Sequence, residues 1–152
     1  MRLVDLDTGT FNELIQLARL NDLWRFSVND LTWTWISGSS NVGDPGMYGN
    51  KGEPSTDNVP SARHSAVGWI DSSIQALWVL GGSVAGTGTY DNVNLVQFAT
   101  NDNIFALERS NDLWRYRIKD STWTWMGGSN TANQRGVYGE KGNASTSNVP
   151  GA

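Results

Sequence analysis

The chain has 152 residues, with eight Trp, 17 Gly and only 17% charged residues. This composition favours short aromatic strands separated by tight turns over helices, which would need more Ala, Glu and Lys. A formal net charge of -4 with scattered Lys and Arg argues against a nucleic-acid partner, and the lack of Cys excludes disulfides and thiolate metal sites.

The first 20 residues mix acidic and basic side chains among apolar ones, so they lack the continuous apolar stretch of a signal peptide. No apolar run in the chain approaches the length of a membrane span, and we expect no membrane association. The compartment stays unknown, with a preference for the cytoplasm. Within this segment, Leu14 to Leu17 could supply a substitute strand or a short helix.

Residues 21–25, with the sequence Asn-Asp-Leu-Trp-Arg, return unchanged as residues 111–115. The match continues without a gap to Ala152 at a fixed offset of 90 residues, and about half of the aligned positions are identical. A fixed period marks repeat architectures, in which one unit buries its apolar face only by stacking on the next.

Periodicity within the repeat predicts strands. Alternating residues predict a hairpin with strands near residues 24 and 33, and its copy near residues 113 and 123. Two further strands are predicted near residues 65 and 77, and the second is continuously apolar, as expected for a strand covered on both faces. The last four strands predict an antiparallel meander, and the first two are the end of a preceding one.

Four features resemble the kelch repeat: Ala76 to Gly82 (ALWVLGG), the Asn-Asp-Leu-Trp-Arg strand, a Trp in the next strand, and Val59 to Arg63 (VPSAR) before the first strand. Each kelch repeat is one four-stranded blade of a β-propeller. The resemblance therefore implies an all-β fold with one complete blade plus half a blade. Because propellers close with roughly 4 to 8 blades, it implies an incomplete propeller.

The predicted elements divide the chain into five parts. These are an N-terminal extension (1–20), the last two strands of a preceding blade (21–36), a long inter-blade loop (37–62), a complete blade (63–127) and the start of the next loop (128–152). The offset of 90 residues exceeds the about 50 of a kelch unit. Part of the excess is an insertion at 83–110, which is a functional loop, a dispensable insertion or an artefact of the coding-region boundaries.

The sequence offers little for catalysis. His64 is the single histidine, and no Gly-x-Ser-x-Gly elbow accompanies it, although Ser65 and Asp71 are near it in sequence. Galactose-oxidase-type kelch proteins use a Tyr-Cys cofactor with copper, which a chain without Cys cannot form. We expect no enzyme activity, no cofactor and no metal site.

Acidic and aromatic residues that recur in both copies are expected to be structural. The repeated carboxylates are expected to satisfy backbone N–H groups at strand edges and turns; they are Asp22, Asp30, Asp112 and Asp120. The Trp residues on predicted strands are expected to pack between neighbouring sheets rather than to bind sugars, bases or cations. Of these residues, Trp69, at a strand end, is the one most expected to be partly exposed.

Candidate binding residues lie in the long connections, which the meander places at one end of the sheets. Tyr48, Lys51, Tyr138 and Lys141 recur there and are of types that form interfaces, or they order the loops internally. Arg63 either pairs across blades, the interpretation we favour, or contacts a ligand at the channel mouth.

In kelch proteins such a loop face often holds a protein or peptide partner. The resemblance therefore implies a non-catalytic protein-binding or scaffold module. Two alternatives stay open: a truncated propeller fragment with no independent activity, and a part of a kelch-type carbohydrate-active or oxidoreductase protein. Exposed blade edges would favour self-association of several chains, or aggregation where they stay uncovered.

Overall fold

A computed structural model of the chain describes residues 19–85 and 107–152. Over these ranges the fold is all-β, without helix, and consists of two antiparallel sheets. The strands are β1 (Leu23–Ser27), β2 (Thr32–Ser37), β3 (Arg63–His64), β4 (Val67–Asp71), β5 (Ala76–Ala85), β6 (Leu107–Arg117) and β7 (Thr122–Gly127). No helix in the described ranges is long and apolar enough to cross a membrane.

Strands β1 and β2 form a separate two-stranded sheet, which we call the N-terminal hairpin. Trp24 pairs with Trp35 and Phe26 pairs with Trp33 across the two strands. Because side chains alternate along a strand, these four aromatic residues lie on one face of the hairpin. We call them the tryptophan face.

The other five strands form the C-terminal sheet, in which β5, β6 and β7 follow one another and β3 and β4 both pair with β5. Strands β3 and β4 pair with successive parts of β5, so together they take the place of a single strand. The sheet therefore has the width of four antiparallel strands. The strands predicted near residues 65, 77, 113 and 123 are all present in this sheet. Their order and direction agree with the predicted meander.

A bulge at Gly81–Gly82 interrupts the pairing of β5 with β6. Both glycines have positive φ angles, 60° and 108°, a region that side chains with a Cβ rarely adopt. An added Cβ at Gly82 would lie 2.8 Å from the carbonyl oxygen of His64. The bulge turns the Gly81 carbonyl toward the Arg63 guanidinium, which donates to it at 2.9 Å.

Strands β5 and β6 extend into the segment 83–110 that the sequence assigned to an insertion. Ser83 pairs with Arg109 and Val84 with Glu108, beyond the bulge. These residues are mostly polar and follow a glycine pair, so alternation does not mark them as strand. The rest of the segment, 86–106, lies outside the described residues, as does the predicted element at Leu14 to Leu17.

The core lies between the hairpin and the C-terminal sheet. Its centre consists of Trp114, Tyr116 and Trp123, which are all buried. Leu23 and Ile36 pack on this cluster from the face of the hairpin opposite the tryptophan face. The hairpin therefore stacks on the C-terminal sheet through one face and leaves its tryptophan face directed away.

Gly82→Ala tests the bulge. We expect the variant to lose about 2–4 kcal/mol of unfolding free energy, because strain at positive φ adds to a clash with backbone. Gly142→Ala is the matched control, since its φ is 91° and an added Cβ meets nothing within 4 Å; we expect it to lose only about 1 kcal/mol. Urea denaturation measures both, and equal losses would contradict the role of the bulge.

Candidate interaction surface

The Asp112 carboxylate is the centre of the contact between the connection that follows β2 and the C-terminal sheet. Asp112 lies on β6 with no exposed surface. Arg63 donates to both carboxylate oxygens, at 2.7 and 2.8 Å. Tyr48 Oη donates at 2.7 Å and Trp114 Nε1 at 2.6 Å. Ser110 Oγ, the last donor, lies two residues before it on the same strand.

This network corrects the expectation that Asp112 satisfies backbone N–H groups at a strand edge. Within the described residues, its carboxylate partners are all side chains, and they come from three separate parts of the chain. The expectation holds for Asp30, which accepts a hydrogen bond from the backbone N–H of Thr32 at 3.4 Å. Asp120, in the equivalent turn, accepts from the Thr122 hydroxyl at 2.8 Å and pairs with Arg117. A buried carboxylate needs such donors because leaving it unpaired would cost several kcal/mol.

The network also sets the protonation states of its members. Burial raises the pKa of Asp112, but the hydrogen bonds and the charge of Arg63 outweigh burial and hold the pKa below its usual value. Burial lowers the pKa of Arg63, and the contacts with Asp112 leave it raised. Burial and then the Asp112 charge raise the pKa of Tyr48 to about 12. At neutral pH the site therefore combines an ion pair with a neutral phenol.

The connection from β2 to β3, residues 38–62, which we call the first connection, carries Tyr48 onto the aromatic core. The Tyr48 ring lies 4.9 Å from the Trp114 ring and meets the Trp125 ring edge-on at 5.3 Å. Contacts of this geometry add to the gain from burial. Tyr48 is thus engaged within the chain.

Lys51 and its neighbours bind the outer side of β7. The ammonium group of Lys51 donates to the Gly128 carbonyl at 2.7 Å and lies 4.3 Å from the centre of the Trp125 ring. Ser55 exchanges two backbone hydrogen bonds with Trp123, both 3.1 Å long. The first connection therefore covers the edge of β7 that β6 leaves unpaired.

Arg63 forms an ion pair, but within the C-terminal sheet rather than across blades, because β3 and β6 with Asp112 belong to the same sheet. Its side chain is 7% exposed and bonded to Asp112, and its remaining donors bind the carbonyl oxygens of Ser61 and Gly81 and the Ser61 hydroxyl. Because these contacts use the donors of the guanidinium, the role of Arg63 in this fold is structural.

Residues 128–152, the second connection, repeat the internal fold of the first. Backbone pairing joins Val137 to Val149, as it joins Met47 to Val59 in the first connection. Asn111 donates to the Pro150 carbonyl at 2.8 Å, as Asn21 does to that of Pro60 at 3.0 Å.

The groups that bind the sheet in the first connection are at the surface in the second. Tyr138, the counterpart of Tyr48, is 77% exposed, and Lys141, the counterpart of Lys51, is exposed as well. Neither side chain makes a hydrogen bond within residues 19–85 and 107–152. Of the five candidate binding residues, the structure thus brings Tyr48, Lys51 and Arg63 together at one internal contact and leaves Tyr138 and Lys141 apart from it.

At the offset of 90 residues, the tryptophan face of the hairpin corresponds to the buried aromatic cluster of the C-terminal sheet. Trp24 is 47% exposed and Trp33 is 65% exposed, whereas their counterparts Trp114 and Trp123 are 0% and 4% exposed. Asp22 accepts a hydrogen bond from Trp24 Nε1 at 2.6 Å, the same distance as in the covered copy. In the described part of the chain, that is the one hydrogen bond to the Asp22 carboxylate.

These exposures contradict the expectation that the strand Trp residues all pack between sheets. Trp69, which was expected to be partly exposed, is 42% exposed, and Trp33 is 65% exposed. Trp69 stacks on Trp78 at 5.9 Å with nearly parallel rings. The tryptophan face differs because no second sheet covers it among the described residues.

The described residues offer little for metal binding or catalysis. They contain no group of three or more His, Cys, Asp or Glu side chains placed to hold a metal ion. His64 Nδ1 lies 2.9 Å from Ser65 Oγ, but in the ranges described no carboxylate hydrogen-bonds to its ring.

Comparison of the chain with protein-family models, with curated proteins and with solved structures finds no match. The kelch resemblance therefore rests on the sequence motifs, and function is argued below from the surfaces just described.

Asp112→Asn tests the buried network. We expect a loss of about 3–5 kcal/mol of unfolding free energy, because Arg63 would stay buried without its counter-charge. Asp22→Asn is the matched control, because Asp22 is the counterpart of Asp112 in the half-exposed copy of the repeat. We expect it to lose under about 1 kcal/mol of unfolding free energy. Urea denaturation of dilute protein measures both losses. Similar losses would contradict the account, in which Asp112 is held in a buried network and Asp22 is not.

Alkaline pH should weaken the contact made by Tyr48. Its pKa is raised to about 12 in the fold, from an ordinary value of 10.0. Its contribution is therefore complete below pH 10 and lost as the pH rises to about 12. We expect the loss to be about 1–2 kcal/mol, less than the full pKa difference because Tyr48 keeps some contact with solvent.

Tyr48→Phe should remove this part of the pH dependence, and Tyr138→Phe should leave it unchanged. The measurement is the urea midpoint of the three proteins between neutral pH and pH 12. A Tyr48→Phe protein with the alkaline profile of the wild type would refute the assignment.

Proposed function

We propose that this chain is a non-catalytic protein-binding or scaffold module built from kelch-type β-propeller blades. In this proposal the C-terminal sheet is one complete four-stranded blade, and the N-terminal hairpin is the last two strands of a preceding blade. The antiparallel order of the strands in this sheet supports the assignment to a blade, as do the kelch-like motifs in the strands. The partner it binds is a protein or peptide rather than a nucleic acid or a membrane.

One observation carries the proposal: the chain contains the same recognition element twice, once bound and once exposed. The first connection inserts Tyr48 beside Asp112 and pairs Ser55 with the edge of β7. The second connection has the same internal pairing but presents Tyr138 to solvent. An ordered segment with an exposed tyrosine and lysine is suited to contact a protein surface, because its conformation is set before binding.

The exposed tryptophan face provides a second surface for a partner. Four aromatic side chains lie next to one another there, and Trp24 stacks on Trp35 with ring centres 6.3 Å apart. Exposed aromatic clusters of this kind mark interaction sites in soluble proteins. The alternative of an inactive propeller fragment predicts no specific binding at either surface. For the alternative of a carbohydrate-active or oxidoreductase protein, the described residues contain no side-chain group placed to hold a metal ion.

Site-specific photo-crosslinking tests the proposal. We expect a photoreactive phenylalanine analogue in place of Tyr138 to form discrete protein adducts in cells that produce the chain. The same analogue in place of Ile74, which is 48% exposed in the turn between β4 and β5, is the control and should form none. Adducts absent from position 138, or equal at both positions, would contradict the proposal.

A further inference from the structure

We propose that the partner is a second copy of this chain, bound head to tail. The second connection of one copy packs on the tryptophan face of the next, in the way that the first connection packs on the C-terminal sheet within one chain. The inference rests on the proposed function, because it identifies the protein partner of the same two surfaces.

The first step is that both halves of the internal contact have counterparts at the fixed offset of 90 residues. The accepting groups Asp112, Trp114, Trp123 and Trp125 correspond to Asp22, Trp24, Trp33 and Trp35. The contributing groups Tyr48, Lys51, Ser55 and Asn58 correspond to Tyr138, Lys141, Ser145 and Asn148. Every one of these eight pairs is identical in residue type.

The second step is that the accepting surface already has the required conformation. Trp24 pairs with Trp35 in the hairpin, as Trp114 pairs with Trp125 in the C-terminal sheet, and a bulge precedes both pairs. The indole of Trp35 donates to the Ser37 carbonyl as that of Trp125 donates to Gly127. Little rearrangement is needed before binding, which lowers the entropic cost of association.

The third step is that the contributing segment is also formed. In the second connection Asn148 donates to the Asn143 carbonyl at 3.1 Å, as Asn58 donates to that of Glu53 at 3.0 Å. Placed on a second copy in the same way, Tyr138 would donate to Asp22 and pack on Trp24. Ser145 would pair with β2 at Trp33, which is paired with β1 alone in the described residues.

Lys141 completes the correspondence. Its counterpart Lys51 binds the Gly128 carbonyl and the Trp125 ring, so Lys141 would bind the Gly38 carbonyl and the Trp35 ring of the other copy. The contact therefore combines aromatic burial, a hydrogen bond to a carboxylate and a cation over an indole, which are groups that commonly dominate interface energies.

Four differences make the intermolecular contact weaker than the internal one. Leu20 corresponds to Ser110, and the aligned ranges give no residue that corresponds to Arg63, so Asp22 would lack two of the donors that reach Asp112.

In the internal contact, Ser37 accepts a hydrogen bond from Trp123 Nε1. In the intermolecular contact, Gly127 would take the place of Ser37 and Trp33 that of Trp123. The Trp33 indole would therefore lack that acceptor. Phe26 replaces Tyr116 and brings no hydroxyl group. We therefore expect a reversible association with a dissociation constant in roughly the micromolar range.

The contact is heterologous, since one copy contributes the second connection and the other the tryptophan face. Each copy has both surfaces, so assembly continues into rings or chains. This predicts complementation: a copy with a defective face and a copy with a defective second connection can still pair once. A dimer in which each surface meets the same surface of the other copy would not show this behaviour.

The test uses Trp33→Glu as the face variant and Tyr138→Glu as the connection variant, with Ile74→Glu as the control. All three positions are exposed, and circular dichroism checks the fold of each protein. Trp33→Ala is a second face variant that adds no charge. Sedimentation velocity over micromolar to millimolar concentrations measures the mass.

We expect the wild type and Ile74→Glu to gain mass with concentration. Each defective variant alone should associate more than about tenfold more weakly, and an equimolar mixture of the two should form a dimer. A wild type that stays monomeric would overturn the inference. Variants that assemble like the wild type, or a mixture that stays monomeric, would overturn it too.

Failure here is separable from failure of the proposed function. A monomeric wild type with crosslinked adducts of a different protein at position 138 would leave the binding module standing and remove the second copy as its partner. Adducts with the mass of two chains support both.

Discussion

The buried Asp112 carboxylate is the constraint on which the rest of the fold depends. A charge with no exposed surface is tolerated only if enough donors reach it. Here the donors come from the first connection, from β3 and from β6. Aromatic burial supplies most of the driving force for stacking the two sheets, but it is tolerant of small shifts. The carboxylate, with directional hydrogen bonds, sets one position for the connection on the sheet.

The two copies of the repeat show what this constraint does when it is satisfied and when it is not. In the covered copy, Tyr48 packs on the buried Trp114 indole, and Ser55 pairs with the edge of β7. In the other copy, Asp22 and Trp24 keep the same hydrogen bond in contact with solvent. Identical local chemistry thus gives a core in one place and an exposed aromatic surface in the other. The chain has two complementary surfaces because a repeat unit is completed by its neighbour.

Periodicity in the sequence was sufficient to predict the strands, the hairpins, the antiparallel order and the turn roles of Asp30 and Asp120. It could not predict which copy is covered. Asp22 and Asp112 share the same flanking residues, as do Trp24 and Trp114, so no local rule assigns burial to one of each pair. Burial follows from chain order, because the first connection precedes the C-terminal sheet and reaches it. Residue type alone left Tyr48 and Lys51 as interface residues or as residues that order the loop, and their contact with the C-terminal sheet depends on tertiary packing.

A double-mutant cycle between Tyr48 and Asp112 tests the central claim most directly. It compares the unfolding free energies of the wild type, Tyr48→Phe, Asp112→Asn and the double variant at neutral pH. The account predicts a coupling energy of about 1–3 kcal/mol, because each residue satisfies the other in a buried site. The same cycle on Tyr138 and Asp22 in dilute protein should give a coupling near zero. A coupling near zero between Tyr48 and Asp112 would contradict the account, since the first connection would then not be held on the sheet by this carboxylate.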